Sequence, residues 1–251
     1  MEKEVQWLLK EKYHHKPTEK FHNDVKRLKA GEPVDYVIGF TIFLDCKIDL
    51  SKKTLIPRRD TEFWVEQAIK EIKKSGKKDI KCLDMFAGSG CIGIAVVKNL
   101  LPALSRAEGC DMADKDKKAI EQIKINCELN KIDKKKYKII QSDVFKKIRG
   151  KYNYIFANPP YVATKKIYSI QKSVLKYEPK NALFAGSDGL YYIRKFLADA
   201  KKHLNPAGKI FMEFSGEQKP AIEKIIFKNK YSKHEFKKDQ YDRWRWVSID
   251  L

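Results

Sequence analysis

The chain has 251 residues, enough to bury a full core as one domain with a small extra element. Hydrophobic residues make up 43% of it and the formal net charge is +20; no apolar run is long enough to span a membrane, and the opening MEKEVQWLLKEKYHHK is too charged for a signal peptide. Five cysteines (46, 82, 91, 110 and 127) form no CxxC pair and leave one over, which argues against a metal centre or a disulfide framework and fits a reducing cytoplasm.

The charge suggests an anionic partner such as RNA or the ribosome. Only eight of the 53 positive residues are arginine, the better residue for phosphate forks and base edges. The lysines scatter through KKSGKK (73–78), DKDKK (114–118) and KIDKKKYK (131–138), which read as solvated helix ends and loops. Background charge is therefore the favoured reading, with at most a weak association with nucleic acid or ribosome.

Residues 1–32 carry a polar, weakly helical pattern with Trp7, Leu8, Leu9, Phe21, Val25 and Leu28 as apolar points. This is too little for an independent core and predicts a short helical lead-in. Residues 33–76 form a second section. YVIGFTIFLDCKIDL (36–50) predicts a hairpin with an Asp-Cys-Lys turn. A helix follows from Asp60 or Thr61, with Trp64, Val65, Ala68, Ile69 and Ile72 as its apolar stripe and Gly76 as its end.

From residue 77 to 251 strands and helices alternate. Strands are expected at 81–86, 107–114, 137–143 and 152–157. Helices are expected at 91–101 and at 117–130, the latter with Ile120, Ile123 and Leu129 inward. A helix at 189–204 stops at Asn205-Pro206-Ala207-Gly208 before a strand at 209–214. One more helix and the strands YSKHEF and RWRWVSID close the chain; alternation in the last sends Trp244 and Trp246 to one face and both arginines to the other. Such alternation predicts an α/β fold, a parallel sheet with helices on both faces. Ligands of such sheets sit at the carboxyl ends of the strands, where Asp84, Asp114, Asp143 and Asn158 all fall.

MFAGSGCIG follows the first of these strands and opens a helix, so Gly88-x-Gly90-x-x-Gly93 occupies the context of a dinucleotide fingerprint. Alone it fits a nicotinamide dinucleotide, S-adenosylmethionine or a tight turn without ligand. An acid ending the next strand can accept hydrogen bonds from ribose hydroxyls. Asp111 and Asp114 compete for that role and strand alternation favours Asp114, although a helix cap is the plainer use of such residues. Asp143 is placed to meet a base amine. Hydride transfer finds no support, because none of the histidines (14, 15, 22, 203, 234) lies at this edge.

IFANPPYV (155–162) ends a core strand in an amide, two prolines and a phenol. Two prolines remove two donors and fix two φ angles, so the corner is stiff and its carbonyls are free. The Asn158 side-chain oxygen and the Pro159 carbonyl are two acceptors able to hold the N–H groups of a planar NH2 group. Tyr161 can pack on that group or close a wall. This suits methyl transfer from a sulfonium to an amide or amine nitrogen, where catalysis is mainly positioning.

IFANPPYV, LDMFAGSGCIG, LIPRRDTE and GSDGLYYIRKFLADAKKHLNPAGKIFMEF resemble the enzymes that methylate a glutamine of peptide chain release factors. These belong to the S-adenosylmethionine-dependent methyltransferases of the seven-stranded Rossmann-like class. The resemblance runs from about Pro33 to the C-terminus. It implies a mostly parallel seven-stranded sheet with an antiparallel last strand, and S-adenosylmethionine as cofactor. It further implies that Asp84 and the loop Phe86, Ala87, Gly88, Ser89 and Gly90 surround the methionine part, that Asp114 binds the ribose, and that Asp143 and Val144 flank the adenine. Asn158, Pro159, Pro160 and Tyr161 would hold the substrate amide, with Arg58, Thr61 and Glu62 shaping the entrance and no metal involved. The chain departs from the family in three places. Phe86 stands where the first glycine of the loop is usual, and Val144 where an aromatic often covers adenine. Residues 1–32 stand where a longer helical domain recognises the release factor. Two other readings remain: the same chemistry on an exocyclic amine of RNA or DNA, and a cofactor- or RNA-binding module without turnover.

Overall fold

The computed structural model describes residues 1–77, 79–100 and 109–251. The start of the strand expected over 107–114, Leu101 at the end of the helix before it, and the last lysine of the run at 73–78 lie outside the described residues.

Two helices, α1 (Glu2–Glu11) and α2 (Glu19–Lys29), form the lead-in and pack with a short third, α3 (Val34–Ile38). Leu8, Phe21, Leu28, Val34, Val37 and Ile38 make a small core of their own there. Strands β1 (Phe40–Phe43) and β2 (Cys46–Asp49) form the expected hairpin, but its turn is Leu44-Asp45, one residue earlier than the sequence suggests. Both turn residues have positive φ (45° and 61°), the geometry of a type I′ turn, and Cys46 is fully buried as the first residue of β2. Helix α4 (Arg59–Lys74) buries the predicted stripe and delivers Thr61 and Trp64 to the sheet.

The main sheet contains β3 (Lys81–Met85), β4 (Gly109–Asp114), β5 (Ile139–Gln141), β6 (Tyr152–Ala157), β7 (Leu204–Glu213), β8 (Lys233–Lys238) and β9 (Trp244–Asp250). Their spatial order is β5-β4-β3-β6-β7-β9-β8, and β9, the last in the chain, runs antiparallel to both neighbours. Side chains alternate between two cores. Cys82, Tyr154 and Phe156 face α4, α5 (Cys91–Leu100) and α6 (Lys117–Leu129), whereas Leu83, Ile155 and Ala157 face α8 (Tyr191–Ala200) and α9 (Lys219–Lys228). Fully burying one such large apolar side chain contributes about 1.5–3 kcal/mol relative to leaving it exposed. Met85 pairs with both Ala113 and Ala157, and Ala157 with Met212, so the carboxyl ends of β3, β4, β6 and β7 form one rim.

Several local expectations change. Leu129 is 43% exposed rather than inward, because α6 turns Gln122, Asn126 and Asn130 towards the hairpin instead. Asn126 holds the Asp49 N–H (2.8 Å) and C=O (3.1 Å), Asn130 holds the Lys47 N–H (3.2 Å) and C=O (2.7 Å), and Gln122 accepts the Lys52 N–H (2.8 Å). Spaced four apart, these amides continue the β2 edge as a partner strand would. The helix expected to reach residue 204 ends at Ala200, and β7 starts at Leu204. Trp246 is core (2% exposed) but Trp244 is at 36%; Arg243 and Arg245 both pair with Asp60 and Asp239. No helix among the described residues is long and apolar enough to cross a membrane.

Candidate active site

The rim of β3, β4 and β6 borders a cavity of about 460 Å³, a volume suited to a small-molecule ligand. Its floor is the glycine loop. Gly88 and Gly90 have φ of 55° and 80°, the region open to glycine without cost. Gly93 has a packing reason: a Cβ there would lie 2.5 Å from Met112 Cγ, so only glycine lets α5 approach β4 this closely. Phe86, the bulky residue that opens the loop, adopts φ 64°. Its ring turns onto Tyr192 and Phe196, with centroids at 5.8 and 6.0 Å, and so packs against α8. Val144 has φ 51°, a strained value for a β-branched residue.

Asp114 lines the cavity, and its two oxygens accept the Gly88 and Asp116 N–H groups at 2.9 Å each. Burial pushes its carboxyl up, against the pull of these donors. Its competitor, Asp111, is a core residue bonded to the Tyr152 hydroxyl (3.0 Å) and the Lys138 amide (3.0 Å), and does not border the cavity. Asp143 and Val144 line the far end. Lys195 at 2.6 Å and Lys146 at 3.5 Å hold Asp143 below the usual carboxylate range. Ala87 and Ser89 also border the cavity, whereas Asp84 and Gly90 lie outside its lining. Asp84 is fully buried: Oδ2 accepts the Gly93 N–H at 2.9 Å, Oδ1 has no partner, and burial pushes the carboxyl up to about 8.

The opposite wall is the Asn-Pro-Pro-Tyr corner. Asn158 and Pro160 border the cavity; Pro159 and Tyr161 stand behind them. The Pro159 carbonyl accepts no hydrogen bond from the described residues. The corner is held in place from outside. The Gln218 side chain donates to the Tyr161 carbonyl (3.0 Å) and to the Gly189 carbonyl (3.1 Å). Gly189 itself sits so close that a Cβ would fall 2.3 Å from the Tyr161 carbonyl oxygen, which accounts for the second glycine of GSDGL. Beneath the corner lies Glu213, 1% exposed at the end of β7. It accepts from Thr61 Oγ1 (2.6 Å), Trp64 Nε1 (2.7 Å) and the Tyr161 hydroxyl (3.1 Å). Asn158 Nδ2 lies 3.3 Å from Thr61 Oγ1. Burial, then the charge of Glu213, push the Tyr161 phenol up, so it remains a donor.

Arg58 borders the mouth and pairs with buried Glu178 at 2.5 Å, which also accepts the Ile56 amide at 3.2 Å. Glu62 faces away: its carboxylate accepts the Leu44 amide of the hairpin turn at 2.7 Å. Glu178 and Glu213 escaped the sequence reading. Glu178 lies in residues 163–188, where no periodic pattern announces the short helix α7 (Lys172–Tyr177). Glu213 did leave a signal: an acid inside the apolar run KIFMEF, at the carboxyl end of a central strand.

The cavity fits a nucleoside cofactor. It joins a glycine loop of left-handed backbone with an acid positioned at the next strand end. Fold and loop together define a Rossmann-like S-adenosylmethionine-dependent methyltransferase. The family model described as "Methyltransferase small domain" matches residues 66–187. A solved methyltransferase from Pyrococcus furiosus superposes with a TM-score of 0.55 at 18% identity, over 91% of this chain and 96% of that one, and so has the same fold. The release factor glutamine methyltransferase of Lactococcus lactis is 36% identical over 82% of this chain and 72% of its own length. That of Thermodesulfovibrio yellowstonii is 36% identical over 85% and 74%. The chain belongs to the release factor glutamine methyltransferase family.

Proposed function

We propose that the protein transfers a methyl group from S-adenosylmethionine to the side-chain amide nitrogen of a glutamine in a peptide chain release factor, within its Gly-Gly-Gln loop. The observation that carries this reading is the pair of acceptors at the corner, the Asn158 side-chain oxygen and the Pro159 carbonyl, which take no donor from the described residues and stand beside a cofactor-sized cavity. The cofactor, when bound, supplies a methyl group on a sulfonium whose sulfur is the leaving atom. The chain's own residues do the rest by placement. Asn158 and Pro159 accept the two N–H bonds of the substrate amide and hold its nitrogen in one plane; on gaining the methyl carbon the nitrogen releases one of these two protons, which passes by way of the acceptor that holds it to water. Pro160 and Tyr161 keep the corner stiff. Such orientation is worth about 7–11 kcal/mol of barrier in well-aligned systems. Asp114 takes the ribose, Asp143 and Val144 flank the adenine, and Phe86 to Gly90 enclose the methionine part, with Asp84 beneath. Arg58, fixed by Glu178, shapes the entrance, and Glu62 acts there only through the hairpin.

In this reading residues 77–251 are the methyltransferase domain, 33–76 lead into it, and 1–32 form a helical lead-in that packs on α3. A cytoplasmic setting fits the five free, buried cysteines. The charge of +20 fits a weak association with ribosome or RNA.

The test is direct. Purified protein is incubated with methyl-labelled S-adenosylmethionine and an intact release factor. Label is expected on the release factor and absent when the glutamine of its Gly-Gly-Gln loop is changed. Label that appears on RNA added in competition, with none on the protein, would reject the reading in favour of an exocyclic amine.

A further inference from the structure

We infer that buried Glu213, acting through Thr61, sets the orientation of the Asn158 amide and so presents its oxygen, rather than its NH2, to the substrate. The inference rests on the amide-methylation reading above and adds a device that a stiff proline corner cannot supply. A rigid backbone fixes where Asn158 sits. It does not decide which way round the side-chain amide points, and a reversed amide would offer donors to a substrate group that is itself a donor.

Burial pushes the Glu213 carboxyl up, while its donors Thr61, Trp64 and Tyr161 and the charge of Arg245 pull it down; with Glu213 as a carboxylate, the chain of donors and acceptors has one consistent direction. Trp64 Nε1 can only donate, and it lies 2.7 Å from Glu213 Oε2. Thr61 Oγ1 reaches the same oxygen at 2.6 Å, and the Tyr161 hydroxyl reaches Oε1 at 3.1 Å. A carboxylate that receives three donors in a buried site is an acceptor towards all of them. The Thr61 hydroxyl therefore spends its proton on Glu213 and has only lone pairs left for Asn158. A lone pair accepts a hydrogen, so the atom of Asn158 at 3.3 Å must be Nδ2. Oδ1 then points the other way, and Asn158 borders the cavity. Three elements meet to make this arrangement: Glu213 ends β7, Asn158 follows β6, and Thr61 lies in the first turn of α4. The register of Ala157 on Met212 brings the two strand ends side by side. Thr61 is 2% exposed, so bulk water does not compete for the relay.

Glu213 is a positioning residue, since it lies outside the cavity lining and reaches the site only through its partners; Thr61 borders the cavity beside Asn158 and is argued to act by orienting the Asn158 amide. The experiment compares Thr61→Val, which keeps the shape and removes the relay, with Thr61→Ser, which keeps the hydroxyl. For Thr61→Val we expect kcat for release-factor methylation to fall roughly ten- to a hundredfold, the loss typical of a misdirected orienting group, with cofactor affinity by calorimetry within about threefold of wild type. Thr61→Ser should recover kcat to within about threefold. A second readout needs no turnover. In protein labelled with 15N and free of cofactor, the Asn158 side-chain N–H resonances should shift in Thr61→Val and stay in place in Thr61→Ser. Folded Thr61→Val with full kcat and unmoved Asn158 resonances overturns the relay alone. Wild-type protein that methylates no release factor overturns the reading beneath it, and the relay with it. Should Thr61→Val fail to fold, Thr61→Cys, with its weak acceptor sulfur, takes its place and should show the same direction of both effects.

Discussion

The two walls of the cavity are built by different means. The cofactor wall is backbone: left-handed glycines, a strand end, and N–H groups from Gly88 and Asp116 converging on Asp114. The substrate wall is side chain: Glu213, Thr61, Trp64 and Tyr161 from separate elements, joined across as many as 152 residues of sequence. The first wall accommodates side chains at left-handed φ, as Phe86 (64°) and Val144 (51°) show, and holds the Asp114 carboxylate by two N–H groups. The second hangs on one hub: Thr61, Trp64 and Tyr161 all converge on buried Glu213, so losing that carboxylate would strand three donors at once.

The contrast is sharpest in a pair of variants. Asn158→Ala should abolish methyl transfer, with kcat down by at least about a thousandfold, and leave cofactor affinity within about threefold, since it removes a placement and not the cavity. Asp114→Ala should do the reverse. If Asp114 takes the ribose as proposed, cofactor affinity should fall roughly ten- to a hundredfold, while kcat at saturating cofactor changes little. Calorimetry and initial rates on both variants would check this. If Asn158→Ala kept its turnover, the amide-clamp mechanism would be wrong.

How much of this was legible follows the same division. The glycine loop, Asp114 and the Asn-Pro-Pro-Tyr corner are contiguous in sequence, and their physical demands are local: positive φ, a strand end, a fixed proline ring. The alternating elements were legible because the central strands carry short apolar stretches such as YIFA and KIFM between helices with an apolar stripe. What escaped depended on distant partners. Leu129 was misread because α6 buries Gln122 and Asn126 against the hairpin, and buried amides break an apolar stripe. The hairpin turn was misplaced because Leu44-Asp45 lacks the usual Asn-Gly or Asp-Gly signal for a type I′ turn. Glu213 could be seen as an acid in a core strand, but nothing local says that Thr61 and Trp64 will arrive to meet it.

Asp84 gives a pH test on the cofactor side. Burial raises its carboxyl to about 8, whereas an unfolded aspartate titrates near ~3.9. Between these values the folded protein keeps a proton that the unfolded chain has released. Its contribution to stability is thus full below about pH 4 and falls as pH rises towards 8, by up to about 1.4 kcal/mol per pH unit. Asp84→Asn keeps an oxygen for the Gly93 N–H and cannot ionise. Relative to wild type the variant should gain roughly 2–4 kcal/mol between pH 5 and pH 8, read from urea unfolding curves at the two pH values. A difference that stays constant would mean that Asp84 is ionised in the fold.

The smallest effect is expected at Phe86, where two opposing terms nearly balance. Glycine at this position would relieve a left-handed φ of 64°, worth about 1–2 kcal/mol for an L-residue. It would also remove a half-buried ring from its edge contacts with Tyr192 and Phe196, and a phenylalanine lost from a full core costs about 3–5 kcal/mol. With the ring only partly enclosed, the packing loss should exceed the strain relief by roughly 1–2 kcal/mol. Phe86→Gly is therefore expected to lower stability modestly while cofactor affinity stays within about threefold, because the loop backbone already has the shape that glycine prefers. A large change in affinity would show that the ring meets the cofactor itself, and the wall would then be side chain as well as backbone.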